Sequence, residues 1–153
     1  MSRIHLKTQI KAPIEQVFNL SRSIDFHIKS SEKTKESAIA GRTNGYIELG
    51  ETVTWRGKHF GIYWTHQSLI TSFQYPTYFT DEMIMGYFKN FKHQHSFLKT
   101  NIGTEMTDII EYEIPYNTLG KILDQVLLKK YLIQFITTRN HAIKTRLETY
   151  YND

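Results

Sequence analysis

Between Thr118 and Tyr150 the chain has no proline, and Leu119, Ile122, Val126, Leu132, Ile136 and Leu147 recur at approximately helical spacing. About 30 residues at 1.5 Å each predict a helix of roughly 45 Å, with Asn117 placed to cap its start. Nearly everything before it is periodic at two. Residues 3–11 alternate strictly, with Ile4, Leu6, Thr8 and Ile10 on one side and Arg3, His5, Lys7, Gln9 and Lys11 on the other. Further strands are expected at 37–40, 46–56, 58–73, 78–85, 88–100 and from Thr104 to the stop at Pro115. Two short helical pieces fall after the first strand, the first opened by Pro13 with Ile14, Val17 and Phe18. An antiparallel sheet must cover one face, and only the terminal helix is long enough to do so. The expected class is therefore α+β: a curved seven-stranded antiparallel sheet wrapped round a long C-terminal helix, as one domain over 1–153. A cavity is expected where helix and curved sheet do not fill the space between them.

The second constraint is aromatic. Two tryptophans, ten tyrosines and nine phenylalanines make up 14% of 153 residues, a large supply of buried area and of pocket lining. The chain has no cysteine, which excludes a disulfide scaffold, a zinc ribbon, an iron–sulfur centre and a thiol nucleophile. Net charge is +4, and the surplus is spread over both ends without a run of Lys or Arg, so nucleic acid is not an expected partner. There is neither an apolar run of membrane-spanning length nor a secretory leader, so a cytoplasmic protein is expected. Oligomeric state is not legible. With no Gly-rich phosphate loop, nucleophile elbow or zinc-binding helix motif, no cofactor is expected.

The last hairpin has the clearest candidate chemistry. A two- or four-residue loop around Asn101-Ile102 places Phe97 opposite Met106, His95 opposite Asp108, His93 opposite Ile110 and Phe91 opposite Tyr112. A shift by one residue would set the apolar face of one strand against the polar face of the other. Two histidines and a carboxylate then share the inner face. They could form a buried structural pair, orient a polar ligand group, or act as general acid and base through His95 and Asp108. A metal is the fourth option, set aside because no third ligand is placed independently. Glu51 and Trp55 are expected on the inner face of the 46–56 strand with Ile47, Leu49 and Val53, and His59 lies just past a break at Gly57. Either Lys58 or His59 faces inward, and so does one of Asp81 and Glu82. Arg139, Asn140 and His141 are expected to be solvated or at a sheet edge.

APIEQVF at 12–18 resembles the opening of START-like, or SRPBCC, ligand-binding domains, which include polyketide cyclases and the birch pollen allergen. GYIELGETVTWRGKHFG at 45–61, FTDEM at 79–83, GYF at 86–88, HQHSF at 93–97 and TEMTD at 104–108 resemble a bacterial subfamily described as ligand-binding or cyclase/dehydrase-like. The likeness runs from about residue 3 to 147. It implies the helix-grip fold and a hydrophobic or amphipathic small-molecule ligand. It also implies cavity roles for Glu51, Trp55, His59, Asp81, Glu82, His93, His95 and Asp108. The alternative it leaves open is a cyclase, dehydratase or hydrolase using a histidine–carboxylate pair in that cavity. The run Tyr63-Trp64-Thr65-His66 lies outside the family pattern and bears on ligand size if it faces inward.

Overall fold

The computed structural model describes residues 1–115 and 127–151. Asn117, Thr118, Leu119, Ile122 and Val126 lie outside the described residues. The strands are β1 (Ser2–Ile10), β2 (Ser37–Gly41), β3 (Thr52–His59), β4 (Ile62–Gln74), β5 (Tyr78–Met85), β6 (Asn90–Thr100) and β7 (Gly103–Glu113). Helices α1 (Ile14–Ser21) and α2 (Ile24–Ser30) follow β1, and α3 (Lys129–Tyr151) closes the chain. All seven strands form one antiparallel sheet in the order β1-β7-β6-β5-β4-β3-β2. Among the described residues no helix is long and apolar enough to cross a membrane.

The expected hairpin register is the observed one. Thr100 pairs with Gly103 across Asn101-Ile102, and Phe97, His95, His93 and Phe91 pair with Met106, Asp108, Ile110 and Tyr112. Burial along β7 alternates without a break, as a sheet with one covered face requires.

The strand expected over 46–56 begins later, at Thr52. Gly45 and Gly50 take φ of +69° and +77°, and the intervening residues turn back so that Gly50 N–H donates to Ile70 O at 2.9 Å. Alternation read straight through this loop therefore misassigns its side chains. Gly57 does not break the strand either. It lies within β3 opposite Trp64, and the reversal comes at Phe60-Gly61, both with positive φ, as a two-residue hairpin turn requires. A Cβ at Gly57 would stand 2.7 Å from Glu36 Cγ, so glycine here makes room for a neighbouring carboxylate.

Two apolar clusters divide the interior. Phe18 of α1 is fully buried at the centre of one, with Ile10, Met106 and Ile143 around it. Ile4, Ile110, Tyr112, Leu132 and Ile136 form the other, between β1, β7 and α3.

A cavity with two polar stations

Between α3 and the concave face of the sheet lies a cavity of about 700 Å³. Its walls are mainly apolar, with Ile24, Val53, Ile70, Leu132 and Ile136 beside the rings of Trp55, Trp64, Phe88, Phe91 and Phe135. Phe60, Tyr87 and Leu127 line it too and are solvent-exposed, marking the end that faces outward.

Polar groups enter at two places. At the first, strand pairing brings four carboxylate and histidine positions into one patch: Asp81 of β5 stands opposite His93 of β6, and His95 stands opposite Asp108 of β7. Asp108 is fully buried behind both imidazoles. Its Oδ1 lies 2.8 Å from His93 Nε2 and 3.0 Å from His95 Nδ1, the latter off the line of a ring N–H bond. Asn140 of α3 donates to its Oδ2 at 2.6 Å. On the cavity side, Asp81 Oδ2 lies 3.3 Å from His95 Nε2 and 4.0 Å from His93 Nδ1. The two rings are 3.8 Å apart, and His95 also stacks on Phe79 at 4.2 Å.

Burial alone would raise both carboxyls, but the imidazoles outweigh it. Hydrogen bonding to His95 and the charges of both histidines hold Asp81 at about 2, and Asp108 lies well below the usual carboxylate range. Burial also lowers both histidines. For His95 its two carboxylate neighbours reverse this and raise it, whereas His93, beside His95, stays below its ordinary value.

Arg139 of α3 is buried, donates from Nη2 to Ser21 O at 2.6 Å, and keeps Nη1 without a hydrogen-bond partner 4.0 Å from Asp108. Of the two settings expected for Arg139 and Asn140, solvent or a sheet edge, the first is excluded by burial, while Asn140 does reach Thr8 of the edge strand β1, because α3 runs across the sheet and turns this face onto β1 and β7. His141 is exposed.

The second station is Glu36, which bonds His27 Nε2 and lies 3.3 Å from His59 Nε2, while His59 Nδ1 meets the Tyr131 hydroxyl at 2.6 Å. Here too burial raises the carboxyl, and His27 and then His59 overcome it, holding Glu36 at about 2 against an ordinary 4.5. A depressed carboxyl stabilises the fold fully above about pH 4.5 and loses that contribution as pH falls toward 2, worth roughly 3 kcal/mol at 1.36 kcal/mol per unit. Glu36→Gln is expected to unfold in less urea than wild type at pH 6, with the difference shrinking between pH 4.5 and 2. A difference independent of pH would show that the ionised carboxylate is not what stabilises.

Of the candidate site residues, Trp55, His59, Asp81, Phe91, His93 and His95 line the cavity. This resolves two pairs, with His59 and Asp81 inward, and it brings in Trp64, Thr65 and His66 of the unplaced run. Six candidates do not line it. Asp108 lies behind the histidines, so acid–base work in the cavity would fall to Asp81 with His95. Phe97 and Met106 are core because α1 fills that end of the sheet with Phe18, and Tyr112 is buried against Phe88 and Phe91. Glu82 points outward to Thr71 and Lys92. Glu51 pairs with Arg42 at the far side of the β2–β3 loop, since the loop before Thr52 carries it off the inner face. Glu36, His27, Tyr131 and Arg139 were not foreseen as cavity residues. The one local signal for Glu36 was the glycine at 57, read from sequence as a strand break.

The architecture is the helix-grip fold that the sequence resemblance implied. Over 97% of its length the chain is similar to TTHA0849 from Thermus thermophilus, of which it covers 99%, with a TM-score of 0.79 at 15% identity. It also resembles SA2116 from Staphylococcus aureus, a protein of unknown function (TM-score 0.73, 13% identity, 99% and 96% of the two chains). Ginseng major latex-like protein 151 from Panax ginseng is similar with a TM-score of 0.72 at 14% identity, over 95% and 97%. No protein-family model matches the chain, and no curated protein matches it by sequence.

Proposed function

We propose that the chain binds an amphipathic small molecule between α3 and the sheet, its apolar body against the aromatic wall and its polar end at Asp81, His93, His95 and Arg139. The observation that carries this reading is the cavity itself. Its roughly 700 Å³ lies within the range of about 300–1,000 Å³ usual for small-molecule sites. Polar groups converge on such a wall at few points, and here one of them, Arg139 Nη1, is a buried donor with no hydrogen-bond partner among the described residues. A ligand carbonyl, hydroxyl or carboxylate would satisfy it and remove the cost of leaving it unmade. The helix-grip architecture, in which a curved sheet and one long helix enclose space rather than fill it, supports the same reading.

Native mass spectrometry and thermal shift with pooled aromatic, polyketide-like and fatty-acyl compounds test it. A bound species with a raised melting temperature is expected. Val53→Trp, which extends a cavity-lining side chain into the space, is expected to weaken that binding by more than about tenfold while the far-ultraviolet spectrum stays unchanged. No bound species across the pool, or undiminished affinity in the tryptophan variant, would count against a ligand at this place.

A further inference from the structure

We propose that Asp81, His93 and His95 bind a divalent first-row transition ion at the polar end of the cavity. This goes beyond ligand binding and departs from the sequence expectation of no metal, which took Asp108 as the carboxylate and lacked a third ligand. Asp81, on the neighbouring strand, is that ligand, and Asp108 has a different role.

The donor set stands on geometry. One ligand atom from each of Asp81, His93 and His95 lies within 4.8 Å of the other two, with Asp81 Oδ2 nearest His95 Nε2 and His93 Nδ1. Neighbouring ligands on one ion, at bonds of about 2.0–2.2 Å, stand roughly 3.0–3.4 Å apart. The Asp81–His95 separation of 3.3 Å already meets this, and the Asp81–His93 separation of 4.0 Å needs a closing of under about 1 Å. His93 and His95 are two apart on one strand and so share a face, and cross-strand pairing sets Asp81 beside them.

The surroundings are those of a metal site as well. A ligating imidazole commonly turns its other ring nitrogen to a carboxylate, which fixes the tautomer and strengthens the donor. His93 does so toward Asp108 at 2.8 Å, His95 Nδ1 lies 3.0 Å from the same oxygen without the alignment of a hydrogen bond, and Asn140 holds that group's other oxygen. Because a carboxylate accepts, Nε2–H of His93 donates to Asp108 and leaves the Nδ1 lone pair on the cavity side. Charge agrees. Asp108, fully buried, lies 4.0 Å from the guanidinium of Arg139, half-buried Asp81 stands on the cavity side of the histidines, and an ion among the donor atoms would offset the negative charge of this second carboxylate. Two imidazoles and one carboxylate suit zinc or ferrous iron, and three protein ligands leave positions open toward the cavity for water or a ligand oxygen.

The full chain, stripped with chelator, is titrated with Co²⁺ and then competed with Zn²⁺ at neutral pH, with no organic ligand present. One equivalent of Co²⁺ is expected, with visible absorption bands and paramagnetic broadening of the His93 and His95 ring signals. Asp81→Asn and His95→Gln should each weaken binding by about 100-fold or more. Asn140→Ala should weaken it by about 10–100-fold through Asp108, and His141→Gln, on the exposed helix face, should not. The broadening is read on wild-type protein, so it decides the question even where a variant fails to fold. Failure of wild type to take up one equivalent, broadening confined to other histidines, or an affinity unchanged in folded Asp81→Asn would overturn the proposal. Because ion uptake is measured without an organic ligand, its failure leaves the ligand-binding reading standing, and the reverse also holds.

Discussion

Replacing Asp108 with alanine is expected to destabilise the fold by about 3–5 kcal/mol, the cost of removing one partner from a buried charged network. The side chain is fully buried, and its two oxygens accept from groups on different elements, His93 of β6 and Asn140 of α3. Without it, the His93 ring N–H is a buried donor with no acceptor and the Asn140 amide keeps only the long bond to Thr8 Oγ1 at 3.4 Å, and an orphaned donor of this kind costs about 1–3 kcal/mol. Arg139 loses its nearest anion at the same time. Asp108→Asn keeps the shape and one accepting oxygen, so its loss should be less than half as large. Urea unfolding of the two variants, with the denaturant slope checked for constancy, measures both. An alanine variant within about 1 kcal/mol of wild type would mean that water replaces the carboxylate and that the network does not hold α3 to the sheet.

Phe18→Ala is the second large effect, again about 3–5 kcal/mol, through the cavity it opens. Phe18 is wholly buried and meets four rings edge-on, those of Phe73, Tyr75, Phe79 and Phe97, with centroids at 5.2–5.5 Å. These come from β4, the β4–β5 turn, β5 and β6, so the remaining side chains cannot close the gap without moving three strands. Phe18→Leu retains much of the volume and should cost roughly half as much. Thermal unfolding of a chain this size shifts by about 2–4 °C per kcal/mol, so the alanine variant should melt on the order of 10 °C lower. A shift of one or two degrees would show that α1 can be loosened without loss to the sheet.

How far the site was legible in sequence depended on the regularity of the backbone around each residue. In the β6–β7 hairpin, strict alternation and a short loop admitted one register, and all four cross-strand pairs follow from it. Asp81 and Glu82 show the limit of the same logic. Alternation says that one faces inward, but choosing between them requires the β5–β6 register, and β5 carries no apolar pattern strong enough to select it. Glu51 was misplaced because two glycines with positive φ interrupt the alternation just before β3. Arg139 and Asn140 read as polar residues near a helix end, where solvent is the ordinary surrounding. Their burial follows from the path of α3 over β1 and β7, a long-range fact with no local trace. His27 lies on the short helix α2 and Glu36 on the irregular segment just before β2, and only packing against β3 brings them to His59.

The sequence by itself determined the element order, the antiparallel sheet under one long helix, and the inward set on the last hairpin, because period and short loops are local properties of a chain. Only the tertiary structure decided which polar groups meet. Asp108 is a support behind the histidines rather than a cavity group, Asp81 is the carboxylate in front of them, and a second station forms round Glu36. Those contacts join residues many positions apart, so their selection depends on how the sheet curves and where α3 crosses it, and neither is encoded in local alternation.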